Sequence, residues 1–88
     1  MSQREKFLAD FLSGDSDAGI RFADLVSYLL FLGFEMRRAG SHNIFRHPAV
    51  REHINLQAAG SHAKPYQVRQ VRRILIRYGF IVRAGGAE

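Results

Sequence analysis

Two segments with a helical repeat of apolar residues flank a segment in which apolar and polar residues alternate. Residues 22–32 form the first helical segment and residues 65–78 the second, with Pro65 at the first helical position. Between them, residues 34–37, 43–47 and 53–57 alternate as half-buried strands do, and their links are of hairpin length. This order predicts an α+β fold with a three-stranded antiparallel sheet packed by helices.

A further helix is expected at the N-terminus. Ser2 and Glu5 have the spacing of a capping box, and Gly14 is a typical C-terminal stop. The element order is then α-α-β-β-β-α. We expect one domain over residues 1–88, with residues 1–15 as an N-terminal helical extension and residues 16–80 as the core. Since residues 22–32 are apolar nearly all round, we expect the sheet to cover one side of this helix and the N-terminal helix another.

Size and composition exclude several classes of protein. The chain has 88 residues and no Cys, which excludes a disulfide framework, a thiolate metal site and a kinase or dehydrogenase domain. A binding module or a very small enzyme remains, and we expect no cofactor. The charged N-terminus is unlike a signal peptide, and the longest apolar run, residues 25–34, is too short for a bilayer. A cytoplasmic protein without membrane association is therefore expected.

Basic residues are concentrated in the second half of the chain. The net charge is +5, and residues 41–88 carry eight Lys and Arg side chains but only Glu52 and Glu88 as acids. Arg accounts for 11 of the 13 basic residues of the chain. Because Arg pairs with phosphate at two points, this imbalance favours a nucleic-acid partner over a charge that only maintains solubility.

One histidine has the setting of an acid–base group. His42 follows Gly40 and Ser41 at a strand entrance, and strand alternation places it with Arg46 on the face opposite Phe45. An outward His beside Arg can bind phosphate and move a proton, and RNA supplies its own nucleophile, the 2′-hydroxyl. Gly40, Ser41 and Arg46 are accordingly expected to contact the RNA. From spacing alone, a histidine in this position is more often an ordinary surface residue than a catalytic one.

The last helix is the second candidate for phosphate contacts. Lys64 precedes its N-terminus, and Arg69, Arg72 and Arg73 are expected on its exposed side, where RNA would bind. For Tyr66, a ring packed near the sheet is preferred to one beside the RNA. Among the other His residues, His47 is expected to be structural, and His62 lies in a second Gly-Ser-His triplet. This triplet is either a flexible loop before the helix or a segment in which Gly60 and Ser61 offer backbone N–H groups to a phosphate. No metal site is expected, because the His residues lack metal-ligand spacing.

Three segments together resemble the HicA toxins of bacterial type II toxin–antitoxin systems. They are Gly40-Ser41-His42-Asn43-Ile44-Phe45-Arg46-His47-Pro48, Ile54-Asn55-Leu56 and Lys64-Pro65-Tyr66-Gln67-Val68-Arg69-Gln70-Val71-Arg72. The upstream stretch of residues 16–22 resembles the longer members, so the resemblance covers residues 16–80. It implies a fold like the double-stranded RNA-binding domain and an mRNA interferase, an endoribonuclease in which His42 is catalytic. It also implies a HicB-type antitoxin as partner.

Two other functions fit the same sequence. A double-stranded RNA-binding module without catalysis would use the same fold and the same basic helix. A small protein-interaction domain would instead use the Arg residues of the last helix to bind an acidic partner. Cleavage of RNA by the purified protein would distinguish an endoribonuclease from the non-catalytic RNA-binding module. Salt-dependent binding of RNA would distinguish both from the protein-interaction domain.

Overall fold

The computed structural model describes residues 2–81. Three helices, α1 (Gln3–Ser13), α2 (Phe22–Phe31) and α3 (Pro65–Arg77), combine with a sheet of β1 (Glu35–Ala39), β2 (His42–His47) and β3 (Val50–Leu56). A 3₁₀ turn, Asp17–Gly19, joins α1 to α2, and a short hairpin of β4 (Ala58–Ala59) and β5 (His62–Ala63) joins β3 to α3. The expected α+β class and the expected order of the main elements are confirmed.

The helix boundaries follow local chemistry that the sequence displays. Ser2 Oγ accepts from the Glu5 amide at 3.1 Å and the Glu5 carboxylate accepts from the Ser2 amide at 2.9 Å, which completes the capping box of α1. Gly14 then takes a φ of 76°, the left-handed conformation that ends many helices. At α3, Pro65 occupies the first turn, where its missing N–H leaves no helical bond unmade.

The sheet is antiparallel with the order β1-β2-β3, and its register defines two faces. Met36 pairs with Phe45 and Phe45 with Ile54, so these three side chains share the face that the helices cover. Phe45 and Ile54 are fully buried, whereas Met36 is 43% exposed. The helices therefore cover β2 and β3 and leave β1 at an open edge.

The structure corrects the start of the third strand and shows how the segment after it folds. The third strand begins at Val50 rather than His53, because Pro48 and Ala49 form a tight turn in which the Ala49 amide donates to His47 Nδ1 at 2.9 Å. The segment after β3 forms the β4–β5 hairpin instead of a flexible loop. Gly60 turns this hairpin with a φ of 65°, and the Ser61 carbonyl accepts from the Phe22 amide at 3.0 Å.

The N-terminal helix is part of the core. Phe7 and Phe11 stack with ring centroids 5.3 Å apart, and Phe7 lies 5.4 Å from the ring of Tyr28 in α2. The C-terminal end of α2 is less covered than its apolar sequence predicts, since Phe31 is 60% and Leu30 46% exposed. The Arg4 guanidinium lies 3.9 Å from the Phe31 ring centre and shields part of it.

Candidate RNA-binding and catalytic site

The β1–β2 turn places His42 at the sheet surface. Gly40 has a φ of 63°, which allows the chain to reverse between Ala39 and His42, the last pair of the β1–β2 ladder. His42 and Ile44 lie on the face opposite the buried Phe45. Strand alternation predicts that His42 points outward, and the structure confirms that this residue is exposed.

Asn55 holds the His42 ring in place. His42 Nδ1 lies 3.0 Å from Asn55 Oδ1, across the β2–β3 ladder in which Asn55 pairs with Ile44. An amide oxygen can only accept, so this contact is a hydrogen bond when Nδ1 carries the proton, and that tautomer leaves the lone pair of the neutral ring on Nε2. On the other side, Arg37 also pairs with Ile44, which places Arg37 diagonally from His42 within reach of a long side chain.

A second group of side chains connects the β1–β2 turn to the start of α3. Gln57 Nε2 donates to Ser41 Oγ at 3.2 Å, and Lys64 Nζ donates to Gln57 Oε1 at 3.3 Å. The side chain of Gln57 thus connects Lys64 to Ser41, the residue that precedes His42. The structure therefore brings together three residues that the sequence assigned to the site, Ser41, His42 and Lys64.

Gln67 links Tyr66 to the same group. Gln67 is buried, and its Oε1 accepts from the Gln57 amide at 3.0 Å while its Nε2 lies 3.5 Å from the Tyr66 hydroxyl. The expectation that Tyr66 packs near the sheet is wrong, because its side chain is 57% exposed. Gln67 occupies the inward position of this helical turn, and Tyr66 is left on the surface.

Arg46 does not join the group around His42. It pairs with Glu35 near the other end of β2, about 13 Å from His42 at the usual strand rise. There it lines a cavity of about 290 Å³ together with Glu35, His47, Pro48, Val50 and His53. His47 is structural, as expected, since its ring packs against Phe34 at 5.0 Å and Phe80 at 4.9 Å between centroids.

Arg72 is not on the exposed side of α3, and this expectation is corrected. Its side chain is 11% exposed, and it forms a two-point ion pair with Asp17 at 2.8 and 3.1 Å. The same guanidinium donates to the Phe11 carbonyl at 2.9 Å. The hydrogen bond from Arg72 holds the pKa of Asp17 below its ordinary value, and Asp17 in turn raises the pKa of Arg72. Arg72 therefore connects α1, the 3₁₀ turn and α3, and its charge is already paired.

The remaining basic residues of α3 differ in their exposure and in their ion pairs. Arg73 is exposed, as expected. The Arg69 side chain is 52% exposed and lies 3.8 Å from Asp17, which already holds Arg72. Arg77 pairs with Glu52 at 3.0 Å, and the Tyr78 hydroxyl donates to the same carboxylate at 2.6 Å. These hydrogen bonds, that of Tyr78 above all, lower the pKa of Glu52.

Sequence reasoning missed three contributors to the site, namely Arg37, Asn55 and Gln57. Strand alternation places Asn55 on the outer face of β3, and Gln57 directly follows that strand. The proximity of these two residues to Ser41 and His42 depends on the strand register, which the sequence alone does not give. Asn55 also belongs to the segments that resemble the HicA toxins. The second Gly-Ser-His triplet forms part of the fold. The backbone of His62 forms an antiparallel β-bridge with Arg21, and Ser61 Oγ lies 3.2 Å from His62 Nδ1.

Within residues 2–81, the His, Asp and Glu side chains form no cluster of three that could hold a metal ion. None of the helices in that range has the length and apolar character needed to cross a membrane. Comparisons with protein-family models, with curated proteins and with solved structures find no match to this chain.

Proposed function

We propose that the protein is an RNA-binding endoribonuclease that cleaves mRNA with His42 as its catalytic residue. The observation that carries the proposal is the exposed His42 ring, whose Nδ1 is engaged by Asn55 at 3.0 Å. This pairing leaves Nε2 as a free base on an open sheet face. A histidine with one ring nitrogen fixed and the other free is suited to move a proton near neutral pH.

The proposed reaction uses the 2′-hydroxyl of the RNA as nucleophile. His42 Nε2 takes the proton of this hydroxyl while the O2′–P bond forms, and the O5′–P bond breaks. The products are a 2′,3′-cyclic phosphate and a 5′-hydroxyl, and the leaving 5′-oxygen receives a proton from the His42 imidazolium. Because the substrate supplies the nucleophile and His42 supplies the proton transfer, the proposed reaction is metal-independent and needs no cofactor.

Cationic side chains near His42 support the binding of the scissile phosphate. Lys64 is connected to Ser41 through Gln57, and Arg37 lies diagonally across the sheet from His42. Arg69 and Arg73 form a separate exposed basic surface on α3, which packs on the other face of the sheet. A charge close to the phosphate stabilises the negative charge that develops on its oxygens in the transition state. Gly40 and Ser41 are proposed to contact the RNA backbone at the turn.

The element order supports a likeness to the double-stranded RNA-binding domain, in which helices cover one face of a three-stranded sheet. Together with the resemblance to HicA toxins, this leads us to propose a cytoplasmic toxin with a HicB-type antitoxin as partner.

The antitoxin would cover His42, the basic surface of α3, or both, through charge complementarity and steric block. Co-expression of the antitoxin is expected to suppress cleavage. A complex that leaves His42 accessible and still cuts RNA would contradict this masking.

Cleavage of purified RNA tests the proposal. The wild-type protein is expected to cut a single-stranded RNA in the presence of EDTA and to leave 2′,3′-cyclic phosphate ends. A single 2′-deoxy nucleotide at the cut position is expected to block the reaction, because the nucleophile is missing. If the folded protein binds this RNA but leaves it intact, a non-catalytic RNA-binding module replaces the proposed enzyme.

A further inference from the structure

Tyr66 presents an aromatic ring to solvent at the start of α3. It is one of four large hydrophobic side chains that are substantially exposed among residues 2–81, and the other three, Leu30, Phe31 and Met36, belong to α2 and β1. An exposed tyrosine ring beside polar and basic side chains has the chemistry to contact a ligand, because its face is apolar and its hydroxyl is polar. The apolar residues of α3 that form the core, among them Val68 and Val71, lie on another side of the helix.

Hydrogen bonds connect this ring to the residues around His42. The Tyr66 hydroxyl accepts from Gln67 Nε2, and Gln67 Oε1 accepts from the Gln57 amide. The side chain of Gln57 in turn contacts Ser41 at 3.2 Å and Lys64 at 3.3 Å. Gln67 is buried, with 6% of its surface exposed, and its Nε2 lies 3.5 Å from the hydroxyl end of the ring. Tyr66 is therefore held at the edge of the same surface as Lys64 and the β1–β2 turn.

We infer that Tyr66 is a stacking platform for an unpaired nucleobase of the bound RNA. This inference rests on the proposed function, because it assigns a base-binding position beside the site of His42. Bases of single-stranded RNA stack on exposed aromatic rings, whereas the bases of a duplex are already stacked on each other and paired. A lysine beside the ring binds the adjoining phosphate. Base stacking has little sequence preference, since every base has a π face.

Binding of a modified RNA tests the inference without requiring cleavage. The probe is a single-stranded RNA whose 2′-hydroxyls are all replaced by 2′-O-methyl groups, which prevents cleavage at any position, and it carries one 2-aminopurine, whose fluorescence is quenched on stacking. Tyr66→Leu is expected to weaken binding about 5- to 150-fold and to abolish the quenching, in line with alanine-substitution losses at stacked bases. Tyr66→Phe keeps the ring and is expected to stay within about twofold of wild type. Phe31→Leu is the matched control, because Phe31 is 60% exposed but lies on α2.

The outcomes separate this inference from the proposed function. Loss of single-stranded binding in Tyr66→Leu, with duplex binding unchanged, supports stacking. Unchanged binding by Tyr66→Leu overturns it, and so does an equal loss for single-stranded and duplex RNA or an equal loss in Phe31→Leu. Circular dichroism checks that each variant is folded. A protein that never cleaves RNA but shows Tyr66-dependent quenching would refute the nuclease proposal and leave the base-binding site in place.

Discussion

The ion pair between Asp17 and Arg72 is expected to be a main determinant of stability. Both side chains are about one-tenth exposed, and the pair is two-pointed, with distances of 2.8 and 3.1 Å. Asp17→Asn keeps the shape of the side chain but leaves the Arg72 charge without its partner in a poorly solvated position. Breaking a buried pair in this way typically costs about 3–5 kcal/mol. A domain of this size has a total unfolding free energy of roughly 4–13 kcal/mol, so the loss is a large part of it.

Urea unfolding at pH 7 measures this effect. With an m value of about 1–3 kcal/mol/M, Asp17→Asn and Arg72→Met are each expected to lower the midpoint by more than about 1 M. The matched control is Asp15→Asn, because Asp15 lies in the same loop but is exposed; it is expected to change the unfolding free energy by less than about 0.5 kcal/mol. The double variant Asp17→Leu/Arg72→Met is expected to regain much of the loss, since it leaves no unpaired charge.

The dependence on pH follows from the lowered pKa of Asp17. The folded-state pKa is below the ordinary value of 3.8, mainly because of the hydrogen bond from Arg72. The stabilisation is therefore present above that ordinary value and is lost as the pH falls through the folded-state pKa. The difference between wild type and Asp17→Asn should accordingly shrink in acid. If both single variants lie within about 0.5 kcal/mol of wild type at pH 7, the ion pair does not stabilise the fold and the reasoning is refuted.

Three further predictions concern individual contacts. Arg73→Ala is expected to reduce the slope of log affinity for RNA against log salt concentration by about one. Arg72→Met, measured under conditions in which this variant is folded, is expected to leave the slope unchanged. Equal slopes for Arg73→Ala and wild type would remove Arg73 from the binding surface. Gly33→Ala is expected to cost roughly 1–2 kcal/mol in urea unfolding, because Gly33 has a φ of 98° and an added Cβ would lie 3.3 Å from His47 Nε2; an unchanged midpoint would show that the turn relaxes. Tyr78→Phe removes the strongest hydrogen bond to Glu52, so an NMR titration should show the pKa of Glu52 rising toward its ordinary value of 4.5, and an unchanged pKa would contradict that cause.

Local signals in the sequence were enough to predict most of the fold. The capping box at Ser2, the glycine after α1 and Pro65 at the start of α3 each act within one helical turn, so their effect does not depend on tertiary structure. The β4–β5 hairpin was missed because its strands are two residues long and built largely from Ala, which has low β propensity.

The candidate site was only partly predictable, because its contacts join residues far apart in the chain. His42 could be placed on the outer face from strand alternation alone, but its partner Asn55 is 13 residues away and is set by the β2–β3 register. Helical spacing places Arg72 beside Arg69 and Arg73, yet Asp17, 55 residues earlier, draws its side chain inward. The exposure of Tyr66 depends similarly on the contact between Gln67 and Gln57.

The central claim is that His42 is the catalytic residue, and the cleavage rate of His42→Ala tests it most directly. The matched control is His53→Ala, because His53 is also an exposed histidine of the sheet but lies on β3. Loss of a positioned acid–base group typically lowers a rate about 10²–10⁴-fold. We expect this loss in His42→Ala, which should remain folded and still bind RNA, while His53→Ala cleaves at the wild-type rate. A folded His42→Ala protein that cleaves RNA as fast as wild type would contradict the account.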